Sequence, residues 1–302
     1  MLPCRLMSSG NPAATIRQSP GGPSSLALLR QGITDILSRR RLIRYLTAAD
    51  MKKRGSDTIL GNLWWILDPL LQLVVYVIFV SIIAAKPAPD YPLFIFASIV
   101  PWKWFASVVQ DASTSVVGQG LLIRQIAFPK IVLPVATASA GVVGFAWGLV
   151  PLFGLILLHP HRLSLMLVWF PVIAFVQFVF TLAVAVVVSA ANVFFRDLGN
   201  AIGHALRLWW FLSPGLFSLQ NLEQTKFVQA NPIVGTLAGL NPFAVLFEAY
   251  RAVIYGAPGG AVGTTHPPDL IALAGLLLAS IVLLAVCITF FKRVEPEFAK
   301  VL

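Results

Sequence analysis

Six long apolar runs fill about the last 240 residues of the chain, over 63–84, 93–117, 135–158, 163–191, 201–219 and 270–291. A helix needs about 20 mostly apolar residues to cross the ~30 Å hydrocarbon core of a bilayer. Each run is near or beyond that length. A chain that is 58% hydrophobic and 11% charged also lies outside the range of soluble domains. The expected fold is an all-α polytopic membrane protein with six transmembrane helices.

The basic residues orient it. With the N-terminus in the cytoplasm, the inner segments within about 20 residues of the spans hold Arg44, Lys52, Lys53, Arg54, Arg124, Lys130, Arg196, Lys292, Arg293 and Lys300. The outer loops hold Lys86, Arg162, Lys226 and Arg251. Ten against four places both termini inside by the positive-inside bias. The net charge of +10 is then largely inner-face charge that meets anionic lipid, and it gives no reason to expect nucleic acid as a partner.

Three parts follow along the chain. Residues 1–31 read as a disordered tail, because the first 25 are rich in Pro, Gly and Ser and hold no continuous apolar h-region. Residues 32–54 set Ile33, Ile36, Leu37, Ile43 and Leu46 among Arg39, Arg40, Arg41 and Arg44. That spacing predicts an amphipathic helix, interrupted at its centre, along the cytoplasmic membrane surface. Residues 55–302 form the six-span domain. Between the fifth and sixth runs, 243–255 is apolar but only 13 residues long, with Glu248 and Arg251 three apart. It predicts a re-entrant or interfacial helical segment on the outer side rather than a seventh span.

Catalytic constellations are scarce. The chain has no Gly-Lys pair, so it has no P-loop to cradle ATP phosphates. The two cysteines, Cys4 and Cys287, make no disulfide framework. His-Pro-His-Arg at 159–162 reads as a short polar turn, because no Cys or carboxylate is near it in sequence. Asp68 should lie at headgroup depth. Pro101 should divide the second run, leaving 93–100 as a short outer piece, letting Lys103 snorkel outward and facing Asp111 toward other helices or a water-filled path. Ala136, Ala140, Gly144 and Gly148 form a four-residue ladder that lets another helix approach closely, in the same chain or in a second copy.

Motifs narrow the class. Lys53-Arg54-Gly55-Ser56 followed by Leu60-Gly61-Asn62-Leu63-Trp64-Trp65-Ile66-Leu67-Asp68-Pro69-Leu70 resembles the start of the first span in permeases of polysaccharide-exporting type-2 ABC transporters. Those are the O-antigen, capsule, teichoic-acid and galactan exporters. Pro101-Trp102-Lys103-Trp104-Phe105, Leu122-Ile123-Arg124 with Phe128-Pro129-Lys130, Phe195-Arg196-Asp197, and Leu240-Asn241-Pro242 leading to Arg251 continue the resemblance in order over residues 30–302. Asp57-Thr58 is an insertion relative to that pattern.

The resemblance implies a homodimeric permease of the bacterial inner membrane, docked on two separate ABC ATPase subunits that carry ATP and Mg²⁺. This chain would bind no cofactor and would pass an undecaprenyl-diphosphate-linked glycan to the outer leaflet. It implies coupling to the ATPase through Arg124, Phe128, Pro129, Lys130, Arg196 and Asp197. A substrate path would run past Trp102, Trp104, Phe105 and Asp111, and an outer gate would hold Asn241, Pro242, Glu248 and Arg251. The 21 Phe and 8 Trp suit sugar faces, although aromatic residues also pack cores and line membrane interfaces. Two other readings stay open: a permease of the same fold for a drug or small lipid, and a polyprenyl-phosphate-dependent membrane enzyme. The second needs a general base and usually a metal-binding carboxylate, whereas Asp68, Asp111 and Asp197 are scattered singly.

Overall fold

A computed structural model of the chain describes residues 23–56, 60–83, 89–218, 229, 232–256 and 264–301. Residues 1–22 of the expected tail and the Asp57-Thr58 insertion lie outside them. Among the described residues all regular structure is helical. The amphipathic segment begins earlier than Gly32, because the Ser24 hydroxyl accepts the Ala27 N–H at 3.3 Å and caps α1, Ser25–Ser38. The chain breaks at Arg39 and resumes as α2, Arg40–Ser56. The central interruption is therefore present, and the helix takes in the last part of the expected tail.

Among the described residues five helices are long and apolar enough to cross a membrane. They are α3 (Trp64–Ile83), α4 (Tyr91–Ser115), α6 (Val132–Leu158), α7 (Phe170–Phe194, after a 3₁₀ turn over Leu165–Trp169) and α11 (Leu270–Val294). The short α5, Gly120–Gln125, precedes α6, and α12, Phe298–Val301, ends the described chain. Five of the six expected runs thus meet the length and composition of a span among the described residues. The fifth run is helical only as α8, Leu198–Leu212, 15 residues, or about 22 Å at 1.5 Å per residue. Pro214 is the physical reason: the residue before a proline is pushed out of the α region, and Ser213 has ψ 148°.

α8 nevertheless joins the two ends of the bundle. At its start Gly199 is held by Asn192 and Gln110 (2.8 and 3.0 Å), near the C-terminal end of α7. After it, the Leu216 carbonyl accepts from Tyr91 Oη at 3.1 Å, beside the first residues of α4. α9 (Pro232–Leu240) and α10 (Pro242–Ile254) follow. α10 dips into the bundle, since Phe243 near its start packs on Trp102 and Phe105 in mid-α4 (4.8 and 4.7 Å between centroids). At its other end the Tyr255 hydroxyl donates to the Pro89 carbonyl at 2.6 Å.

α4 is the central helix, packed against α3, α6, α7, α8 and α10. It runs unbroken through Pro101, which corrects the expectation of a separate outer piece. A proline inside a membrane helix is tolerated where neighbours satisfy the disturbed backbone. Pro101 removes the donor for the Ala97 carbonyl one turn earlier, and the helix is held there by its neighbours: Gln177 Nε2 of α7 donates to the Pro101 carbonyl at 2.7 Å, and Tyr250 Oη of α10 donates to Gln177 Oε1 at 3.0 Å. The small-residue ladder of α6 meets helices of the same chain. A Cβ at Gly144 would lie 3.2 Å from the Trp65 ring, and one at Gly148 would lie 3.3 Å from Val100.

Candidate functional site

The expected substrate-path residues separate into three environments. Trp102 and Phe105 are buried in an aromatic cluster, with Trp102 4.8–6.1 Å from Phe105, Trp209, Trp210 and Phe243. Such rings supply packing area and edge-to-face geometry; they hold the bundle together. Trp104 stacks on Phe145 at 4.2 Å and lines a recess of about 220 Å³ with Trp64, Trp65, Asp68, Lys103 and Ser107. Lys103 does not snorkel outward. It turns to pair with Asp68, and the carboxylate side chain remains 60% exposed. Asp111 accepts from Ser107 Oγ at 3.1 Å. It lines a separate polar cavity of about 580 Å³ with Asp50, Lys53, Thr114, Gln119 and Thr137. That cavity lies between α2, α4 and α6, with Thr47 Oγ1 donating to the Ala136 carbonyl at 3.3 Å to seat α2 on α6.

Phe128, expected to project from its loop, lies half-buried against an inner cluster that includes Val116, Ile131, Val193 and Phe291. Ile126 is the more exposed apolar residue there, at 54%. Pro129 and Lys130 are half-buried, and the Lys130 N–H donates to Glu295 Oε1 at 2.6 Å. Only the backbone of Arg124 is described. Arg196 and Asp197 are exposed on the turn between α7 and α8, beside Phe195, which is also exposed. Val193 and Phe128 share one inner cluster, so this turn and the loop lie at the same end of the bundle.

The expected outer-gate residues are fixed by bonds. Asn241 caps α10: its Oδ1 accepts the Phe243 N–H at 3.0 Å and Trp209 Nε1 at 3.2 Å, while its Nδ2 donates to Ser213 Oγ at 2.8 Å. Pro242 takes the first helical position, where a missing N–H costs least. Buried Arg251 donates to the carbonyls of Gly215 (2.6 Å) and Phe217 (3.1 Å), pairs with Glu248 at 3.4 Å and lies 3.9 Å above the Phe94 ring. It supplies donors to the irregular stretch that follows α8.

Sequence reasoning missed the cluster beside it. Asp90, at φ 51° before α4, accepts from His161 Nε2 at 2.8 Å and from Arg162 Nε at 3.0 Å. Arg162 is buried, donates to the Tyr255 carbonyl at 2.7 Å and stacks 4.6 Å from the Tyr255 ring. The His-Pro-His-Arg turn is thus the partner of a carboxylate about seventy residues earlier. The polar turn was the one signal in the sequence; its partner carried none.

The His161 hydrogen bond, followed by Arg162, holds the Asp90 carboxyl below its usual range, against the opposing effect of burial. A depressed carboxylate contributes its full stability above the unfolded value of about 3.9 and loses it as pH falls through the folded value. Asp90→Asn should therefore destabilise the purified chain at neutral pH by about 3 kcal/mol, because Arg162 stays buried without that counter-ion. The gap between variant and parent should close as pH is taken below about 4. Thermal melts across pH check this, and a gap unchanged at low pH would remove the electrostatic account.

Residues 41–255 match the family described as ABC-2 type transporter. The chain is 28% identical over 268 residues, 89% of its length and 98% of the relative's, to the O-antigen export system permease protein RfbA of Myxococcus xanthus. Two proteins of that name from Klebsiella pneumoniae are 24% and 26% identical to it, each over 86% of this chain and 95% of the relative.

Proposed function

Because the chain belongs to the ABC-2 type transporter family, we propose that it is the membrane subunit of an ATP-driven exporter that moves an undecaprenyl-diphosphate-linked polysaccharide across the bacterial inner membrane. Relatives aligned over nearly their whole length are named as O-antigen export permeases. The chain has no Gly-Lys pair and hence no P-loop, so two ABC ATPase subunits bind and hydrolyse ATP with Mg²⁺. A second copy of the chain completes the membrane path. The other ligands are membrane lipids; nucleic acid is not one.

The observation that carries this reading is the recess of Trp64, Trp65, Trp104 and Phe145 beside the Asp68–Lys103 pair. Lys103 lies midway along α4, and ionisable groups at membrane depth face a bundle interior or a water-filled cavity, because exposure to hydrocarbon costs several kcal/mol. A part-exposed ion pair among tryptophans therefore belongs to a wet path or to the face that meets the second copy. Aromatic faces next to charged hydrogen-bonding groups suit a glycan, which offers apolar C–H faces and hydroxyls.

In this reading α1 and α2 lie along the cytoplasmic surface. Six crossings, counting the part-helical α8, keep both termini inside, and α9–α10 re-enter from the outer side. The test is deletion of the gene in its host, followed by extraction of surface polymer and of polyprenyl-linked intermediates. Loss of long surface glycan with build-up of the lipid-linked polymer inside is the expected result. Normal surface glycan would instead favour a drug or small-lipid substrate.

A further inference from the structure

One buried charged node joins three elements at the inner end. Lys292, near the end of α11, donates to Asp35 of α1 at 2.5 Å and to Glu295 at 2.6 Å. The second oxygen of Glu295 accepts the Lys130 backbone N–H at 2.6 Å. The side chains of Lys292, Glu295 and Asp35 are 4%, 10% and 21% exposed, so the node is largely buried, at the edge of a cavity of about 740 Å³ that it lines with Gln31, Pro129 and Arg293. Gly32 is what lets α1 reach it: a Cβ there would overlap Ile288 of α11 and stand 3.4 Å from Lys292 Cγ.

A buried ion pair is rarely more stabilising than well-packed apolar side chains of the same size, but breaking one side of it is costly. Its contribution here is geometric. Glu295 divides its two oxygens between a side chain of the last long helix and the backbone of the loop that follows α5. The loop at Lys130 therefore cannot shift without pulling on α11, and Lys292 passes the same constraint to α1. α11 in turn packs along α7.

We propose that Glu295, Lys292 and Asp35 are positioning residues for coupling, which lock the loop at Phe128–Lys130 to α11 and α1 so that a push from the ATPase moves the bundle. The inference rests on the coupling role given to that loop. A charged node does this where an apolar contact would not, because its directional bonds fix one arrangement of the three elements.

The test uses the full chain with its ATPase in proteoliposomes, with glycan translocated and ATP hydrolysed read together. Glu295→Ala removes both bonds, whereas Glu295→Gln keeps an acceptor for the Lys130 N–H. The expected result is a complex that assembles and hydrolyses ATP, with glycan moved per ATP down by about fivefold or more in Glu295→Ala and by less in Glu295→Gln. An unchanged ratio in both variants overturns the proposal. Hydrogen exchange on the unmutated complex keeps it testable if Glu295→Ala fails to accumulate. The Lys130 amide should exchange slowly, and exchange as fast as an exposed loop overturns the proposal. Phe128→Ala run alongside separates the two readings. If it exports normally, the coupling role of the loop itself fails. If it loses export while both Glu295 variants keep it, only the node fails.

Discussion

Arg251→Met is expected to remove most of the folded chain from the membrane. The guanidinium satisfies the carbonyls of Gly215 and Phe217 in a stretch that Pro214 keeps out of helix. Water is poorly placed to stand in, because Arg251 is 1% exposed and its bond to Gly215 is fully buried, that to Phe217 partly so. A buried carbonyl left without a donor costs about 1–3 kcal/mol, and non-helical backbone at membrane depth is tolerated only where protein satisfies it. Those losses, with the stacking contact on Phe94, bring the cost to about 3 kcal/mol or more, or about 5 °C in the melting temperature of a chain this size. Arg251→Lys should fall between, because an ammonium keeps the charge but lacks the planar fork that reaches two carbonyls at once. Glu248→Gln should cost least of the three, since that side chain is 36% exposed and Arg251 keeps both carbonyls and the Phe94 ring. Membrane accumulation and melting of the three variants check the order. Arg251→Met with parental stability would mean that the stretch after α8 holds itself.

The spans were legible because lipid demands long apolar helices, and α3, α6, α7 and α11 follow the runs closely. Pro101 was misread. A proline looks like a break until the packing around it is seen: Gln177 of α7, 76 residues away, pins α4 at that turn, and nothing local announces that partner. The fifth run was long enough in apolar content, but its last residues are irregular and depend on Arg251, which lies beyond α9. Phe128 was placed on the loop correctly, yet its burial depends on Val193 and Phe291 from α7 and α11. Site chemistry was least legible for the same reason. Asp90 with Arg162, and Asp35 with Lys292, are each pairs of unremarkable residues until the helices bring them together. The Asp68–Lys103 pair shows the limit from the other side. Both residues stood out as charges within apolar runs, but each was read alone.

The central claim is that this chain is a conduit whose work is done by a separate ATPase, and a proteoliposome assay tests it most directly. Vesicles carrying the purified chain, its ATPase and a polyprenyl-diphosphate-linked glycan are given external ATP, and external glycosidase then reports how much glycan has moved to the protected side. Protection should require both proteins and ATP, and the chain alone should hydrolyse none. Phe128→Ala sharpens the result. An aromatic anchor at an interface costs about 2 kcal/mol or more when truncated, and Phe128 offers only the part of its ring left uncovered by its own bundle, so the variant should bind the ATPase up to about thirtyfold less tightly, or leave hydrolysis running while protection is lost. If Phe128→Ala behaves as the parent does, coupling belongs to the exposed Phe195–Asp197 turn instead. ATP hydrolysis by the chain alone, or glycan protected without the ATPase, would contradict the account.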